Sequence, residues 1–409
     1  MTEGVRAARV TYREVLRVRE FRAIFFAQML STVGDQVSRV AVSLLVFERS
    51  GSAFAASATF ACSYFTWLLG GPLLATAADR YPRVEVMVVS DVLRALLVAG
   101  IALDGVPLPV VFTLLILIGV LAPPFDASRS SLLPEILAGD RYVVGNALMN
   151  AGYQAGQVSG FLAGGGLVAL VGYQSALLLD ASSFLLSAGL LLMMVRSRPP
   201  AQAKNDRTGV LQETWVGISA VRKAPDLRRL LAFGVLAMAI VIPSEGLAVS
   251  LAAELGDGPS AVGAMTAAVP AGFLLGSALV VRLRAEVRLS LLPYLIALSA
   301  TPLLAAPLMD SSSALTALFV VAGTGSAIQL IVNAEYVLRT PPELRGRAYG
   351  VAGTLLMATQ GVVLLAAGAA AEVWSPRTVI ATTGLLGIAA LPLVRRLGPV
   401  GAELATQGN

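Results

Sequence analysis

Residues 50–83 read SGSAFAASATFACSYFTWLLGGPLLATAADRYPR. From Ser50 to Ala78 there is no Asp, Glu, Lys or Arg, and then Asp79, Arg80 and Arg83 arrive together. A bilayer core about 30 Å thick is crossed by roughly 20 apolar residues of helix. This run is long enough to span, and its charged end marks the return to water. The pattern recurs at 105–125, 142–179, 258–281, 289–309, 311–334 and 348–371, all free of charge. The run 142–179 is too long for one helix and must turn. A soluble domain has no reason to repeat such runs along its whole length, so the expected class is an all-α membrane protein embedded in a lipid bilayer.

Composition agrees. Hydrophobic residues make up 56% of the 409 and charged residues 13%, with a mean hydropathy of +0.77, against roughly 25% charged in soluble domains. The 39 glycines suit close helix packing in lipid. Cys62 is the single cysteine and lies within a span, which excludes an intrachain disulfide framework; the absence of histidine removes His-based metal sites and catalysis. Met1 to Arg22 is Arg-rich without an apolar core and does not read as a cleavable signal peptide.

Helices are expected at 22–47, 53–78, 86–104, 107–127, 143–171, 174–195, 229–253, 259–281, 289–308, 312–334, 347–371 and 377–394. This gives twelve transmembrane helices in two six-helix halves, 1–195 and 229–409. They are joined by a polar linker over 196–228 that carries an amphipathic helix with Leu211, Trp215, Ile218 and Val221 on one face. With a cytoplasmic N-terminus, the outer loops hold only Arg49 and Arg377, and Arg39 and Arg94 fall within helices. All the rest of the 30 Lys and Arg are then cytoplasmic, which orients the chain. The distribution accounts for the net charge of +5 by topology, with no nucleic-acid partner. Glu20-Phe21-Arg22 opens the first half and Asp226-Leu227-Arg228 the second, and Gly71 aligns with Gly276 at nearly the same offset. Such duplication places a transporter's substrate site between the halves at mid-membrane.

Gly70-Gly71-Pro72-Leu73-Leu74-Ala75-Thr76-Ala77-Ala78-Asp79-Arg80-Tyr81-Pro82-Arg83 resembles motif A of the major facilitator superfamily. Pro82 stands where that motif usually has Gly, and Val84 where a second basic residue is common. The loop after the eighth helix keeps Gly276, Arg282 and Arg284 without a matching Asp. The surroundings of Asp35, together with Ser90-Asp91-Val92-Leu93-Arg94, Asp180-Ala181-Ser182-Ser183-Phe184 and Leu344-Arg345-Gly346-Arg347, resemble the branch of macrolide and enterobactin exporters. The resemblance implies the major facilitator fold and a latch of Gly71, Asp79, Arg80, Arg83, Asp91 and Arg94 that holds one arrangement of the bundle. A carboxylate between guanidinium groups makes charge-assisted bonds that suit such a latch; solvated loop charges enforcing topology are the alternative reading. In the fifth helix Gly152, Gly156, Gly160 and Gly164 recur every fourth residue, followed by Gly165. Gly160-Phe161-Leu162-Ala163-Gly164-Gly165 resembles motif C of antiporters, with Phe161 in place of Pro; close helix packing alone also explains it.

Ionisable groups within the membrane are costly and point to function. Asp35 lies near the middle of the first helix with Arg39 one turn on, and Glu245 near the middle of the seventh, beside Pro243. They are the expected proton-coupling and cavity residues, the alternatives being an intrahelical Asp35–Arg39 pair and a packed, protonated Glu245. Asp180 reads as structural, and Asp126 and Glu335 as interfacial. Asn146, Asn150, Gln154, Gln157, Gln329, Asn333 and Gln360 are further polar residues within spans. No Gly-x-x-x-x-Gly-Lys-Ser/Thr loop is present, so ATP is not the energy source of this chain. The expectation is a secondary active transporter that exports a drug-like or amphipathic small molecule by alternating access, coupled to protons. It would act as a monomer without cofactors in the inner (plasma) membrane, both termini cytoplasmic. A nutrient importer of the same fold is the alternative; a membrane-embedded enzyme lacks a catalytic constellation.

Overall fold

In lipid every backbone polar group must be satisfied internally, so the charge-free runs become helices. The computed structural model describes residues 10–198 and 210–396, and in these the side chains other than those of 67–80, 210–214, 285–286 and 393–396. The first half contains α1 (Arg19–Ser50), α2 (Ala53–Arg80), α3 (Arg83–Ile101) and α4 (Leu108–Val120 continued by Ala122–Ile136). A long stretch, Asp140–Met194, follows and is divided into α5 and α6 at Gly172. Its φ of 77° and ψ of 166° make the turn that the length of the run demanded, in a region of backbone space open to glycine. α1 ends the same way, at Gly51 with φ 65°.

The second half contains α7 (Pro225–Gly246, then Ala248–Leu255), α8 (Pro259–Val281) and α9 (Ala285–Ser290, Leu292–Ala300 and a 3₁₀ segment Pro302–Leu308). α10 (Ser312–Gly325, then Ile328–Arg339), α11 (Arg345–Ala371) and α12 (Pro376–Arg396) complete it. Among the described residues, seven helices are long and apolar enough to cross a membrane. Grouping the interrupted ones with their continuations is consistent with the twelve expected. The ninth helix departs most from expectation. Pro302 and Pro307 lack the N–H that an α-helix needs, and its last turns tighten into 3₁₀ geometry.

Small residues set the helix spacing. A methyl added to Gly160 would come within 2.8 Å of the Val33 carbonyl oxygen, and one on Gly164 within 3.1 Å of Val37 Cα, so α5 lies directly on the α1 backbone. α10 lies on α8 in the same manner, where a methyl on Gly323 would sit 2.8 Å from Val269 Cα. The connections at 81–82, 137–139, 282–284 and 340–344 carry or adjoin Arg80, Arg83, Arg282, Arg284, Arg339 and Arg345 and define an arginine-rich end; those at 51–52, 102–107, 256–258, 309–311 and 372–375 contain no arginine and define an arginine-poor end.

The halves are joined toward the arginine-poor end. A methyl on Gly165 of α5 would meet the Pro259 carbonyl oxygen at 2.6 Å and Gly263 of α8 at 2.8 Å. Gly361 of α11 packs on the Phe65 ring of α2, and Gly368 on Phe54 and Ser57. Glu372 accepts hydrogen bonds from Ser52 Oγ at 2.7 Å and the Phe54 N–H at 2.8 Å. The linker helix, Val210–Lys223, docks on α11. Gly217 lies against the Arg347 carbonyl and Val351, and Val221 is buried, whereas Trp215 is 65% exposed. Close approach is possible only where no side chain intervenes; Leu211 lies outside the described side chains.

Candidate functional site at mid-depth

α1 presents Asp35 and Arg39 one turn apart, and both are partly buried. The guanidinium of Arg39 does not turn back to Asp35. It crosses to the other half, where Nη1 lies 3.4 Å from Glu245 Oε1, with side-chain exposures of 25% and 15%. This corrects the intrahelical pair expected as the alternative: Asp35 makes no hydrogen bond or ion pair among the described residues. Tyr64 of α2 completes the bridge. Its hydroxyl donates to Glu245 Oε2 at 3.5 Å, and its ring centroid is 5.7 Å from the Arg39 guanidinium carbon, within cation–π range. One carboxylate from the second half is thus held by two residues of the first.

The backbone beside Glu245 explains its placement. Pro243 lies inside α7, and the helix breaks after Gly246. The Gly246 carbonyl accepts from Ser57 Oγ of α2 at 2.9 Å, and a methyl at Gly246 would press on Ser57 and Leu364. The break, the missing side chain and the serine anchor fix Glu245 at the joint between the halves.

Of the residues expected as a latch, the described side chains of Arg83, Asp91 and Arg94 fall into two places. Arg94 Nη2 binds Asp91 Oδ1 at 2.5 Å, and Asp91 Oδ2 accepts from Ser187 Oγ of α6 at 2.6 Å. The Arg94 guanidinium lies 4.9 Å from the ring centroid of Phe125 and 4.6 Å from that of Phe184. Asp91 and Arg94 are buried and bind within the first half, tying α3 to α4 and α6. Arg83 pairs with Glu135 at the end of α4 and donates to the Ser131 carbonyl at 3.2 Å. Gly71, Asp79 and Arg80 lie outside the described side chains. Asp180 is buried, accepts from Ser38 of α1 and from Ser183 at 3.2 Å, and faces Gly34, where any added side chain would strike its carboxyl. Asp126 pairs with Arg129 at 3.0 Å, and Glu335 with Arg339 at 3.0 Å.

The glycines of α5 divide between two tasks. Gly152 faces Phe25 and Met29, Gly156 faces Thr32, and Gly160 and Gly164 face Val33, Gln36, Val37 and Val40, so all four seat α5 on the helix that bears Asp35 and Arg39. Gly165 instead meets the second half. Of the polar residues in spans, Gln329 donates to the Gly234 carbonyl at 2.7 Å and Gln157 to the Tyr153 hydroxyl at 3.1 Å. Sequence reasoning did not single out Tyr64, Ser57, Ser38 or Ser187. Each is an uncharged residue in an apolar helix, and nothing in its spacing marks it; only the contact across helices does.

Residues 24–357 match the sequence profile of the Major Facilitator Superfamily. The chain is 29% identical to the multidrug efflux pump Tap of Mycobacterium tuberculosis over 94% of its own length and 95% of that pump's. It is 31% identical to the lysophospholipid transporter LplT of Cronobacter sakazakii over 36% of each chain. Its fold is similar to that of the nucleoside transporter NupG, with a TM-score of 0.74 at 13% identity over 92% of this chain and 99% of that one.

Proposed function

This chain belongs to the Major Facilitator Superfamily, and we propose that it is an exporter of drug-like or amphipathic small molecules driven by inward proton movement. The observation that carries the reading is the Arg39–Glu245–Tyr64 bridge, a charged cluster joining the halves at mid-depth of a transporter fold. The similarity to a multidrug efflux pump over nearly the whole chain supports the direction of transport. The basic residues support an orientation with the arginine-rich end in the cytoplasm. The joint toward the arginine-poor end then corresponds to a state closed to the outside.

In this mechanism the halves rock about the mid-depth cluster, so that the substrate site opens to one side at a time. A carboxylate left alone in the membrane is costly, and a proton or a cation must neutralise it. Glu245 is neutralised by Arg39 only while the halves are together there. Opening the outer side separates the pair and allows Glu245 to take a proton from that side. Closing restores the arginine and expels the proton toward the cytoplasm.

The test is efflux in a host stripped of its own pumps, across a panel of antibiotics and dyes. Cells carrying the protein should tolerate at least one compound several-fold better, and accumulate less of it until the pH gradient is collapsed. Glu245→Gln should abolish this uphill export. No change across the panel, or export indifferent to the pH gradient, would overturn the reading. Accumulation into right-side-out vesicles would favour the importer.

A further inference from the structure

Arg39 lies within reach of two acids but holds only one of them. Asp35 is on its own helix at i−4, a spacing that places side chains next to each other on one face. Glu245 is on the opposite half and takes the guanidinium at 3.4 Å, while Asp35 is left without a hydrogen bond or ion pair among the described residues. Glu245 adjoins Gly246, whose carbonyl is bound by Ser57 at the joint between the halves. Any motion that opens the arginine-poor end must part this joint, together with the backbone contact of Gly165 on Gly263. It therefore draws Glu245 away from Arg39. The guanidinium cannot follow, because α1 is fixed to the first half by the glycine seam of α5 and by Ser38 on Asp180.

We propose that Arg39 exchanges partners during the cycle, holding Glu245 when the arginine-poor end is closed and Asp35 when it is open. This deepens the proposed mechanism and rests on its orientation. One arginine excludes the proton from each acid in turn. Glu245 can take a proton only when open to the outside and must give it up when Arg39 returns. Asp35 loses its counter-ion on closure, receives the proton that Glu245 gives up, and releases it to the cytoplasm before Arg39 returns to it, so that each cycle moves one proton inward. The two acids are never both neutralised by Arg39, and never lose it at the same time. Alternation is thus built into one side chain.

The exchange gives the two acids opposite effects on the same equilibrium, and this is measurable without any substrate, so it can fail while export stands. The full chain, with Cys62→Ser, is placed in lipid nanodiscs and spin-labelled at Leu103→Cys in the first half and Asp310→Cys in the second. Both residues are exposed at the arginine-poor end. The distance distribution is read across a pH series. Tyr64, Tyr153, Arg94, Asp126 and Asp180 also face the cluster and contribute to any pH response, so the opposite signs are the diagnostic. Glu245→Gln should raise the long-distance fraction several-fold, and Asp35→Asn should lower it several-fold at a pH where the wild type shows both distances. Arg39→Gln should erase the difference between the two. Arg39→Glu combined with Glu245→Arg restores the pair across the halves but sets a second carboxylate beside Asp35, and should hold the molecule closed; it serves if Asp35→Asn does not fold. Shifts of the same sign in the two single variants, no shift in either, an open double swap, or a wild type that never shows the longer distance at any pH would each overturn the exchange.

Discussion

At the residue scale, the charges within the membrane are governed by what neutralises them. Arg94 is enclosed by Asp91, Phe125 and Phe184, and Asp91 has Ser187 as its second partner. Removing one member of a buried pair leaves the other uncompensated, at a cost of about 3–5 kcal/mol, whereas replacing both by apolar groups of similar size is far less damaging. Arg94→Gln should therefore lower the midpoint of thermal unfolding in detergent sharply. Asp91→Asn with Arg94→Met should recover much of that loss. Arg94→Lys should fall between them, since an ammonium does not stack on two rings as a guanidinium does. A double variant no more stable than Arg94→Gln would mean that the pair is not the source of the stability.

At the element scale, the glycine seam of α5 on α1 differs along its length. The atoms nearest Gly152 are the tips of Phe25 and Met29, which can turn away, whereas those nearest Gly160 include the Val33 carbonyl and Cα, which cannot. Gly152→Ala should be tolerated. Gly160→Ala should cost about 1–3 kcal/mol through overpacking and also lower transport, because it displaces the helix bearing Asp35 and Arg39. The two thermal midpoints, compared in the same detergent, check this; equal midpoints would mean that α1 and α5 adjust freely. The regular spacing of these glycines was legible in the sequence. The helix they face was not, because a spacing of four marks a face and leaves its neighbour unnamed.

At the scale of the whole molecule, the halves meet where α2 packs on α11 and α5 on α8, and at the rim of that joint lies a carboxyl that responds to acid. Glu372, at the end of α11, is held below its usual carboxyl range, first by the Phe54 backbone N–H at the start of α2 and then by the Ser52 hydroxyl. A carboxyl lowered in the joined state adds stability that is present above its ordinary value of 4.5 and is lost as the pH falls through its depressed one. Glu372 is exposed, so the effect is small. Acidification below that region should loosen the arginine-poor end. Glu372→Gln should loosen it modestly at neutral pH and remove this part of the acid response, read from the same spin-label distances. An acid response below pH 4.5 unaltered by Glu372→Gln would assign it to other groups.

The sequence by itself determined the class of the molecule. Charge-free runs long enough to span a bilayer leave the backbone no choice but helix, and the stretch 70–83 with its flanking motifs pointed to the superfamily that the chain belongs to. It also marked Asp35, Arg39 and Glu245, since a charge inside such a run is conspicuous without any structure. What it could not determine was partnership. The i, i+4 spacing made Asp35 the nearest acid to Arg39 along the chain, yet the folded molecule gives Arg39 to Glu245, on a helix more than half the chain away, and places Tyr64 and Ser57 beside it. Local spacing measures only the distance along one helix. The packing of two halves decides which charges meet across them, and the desolvated joint makes that choice consequential.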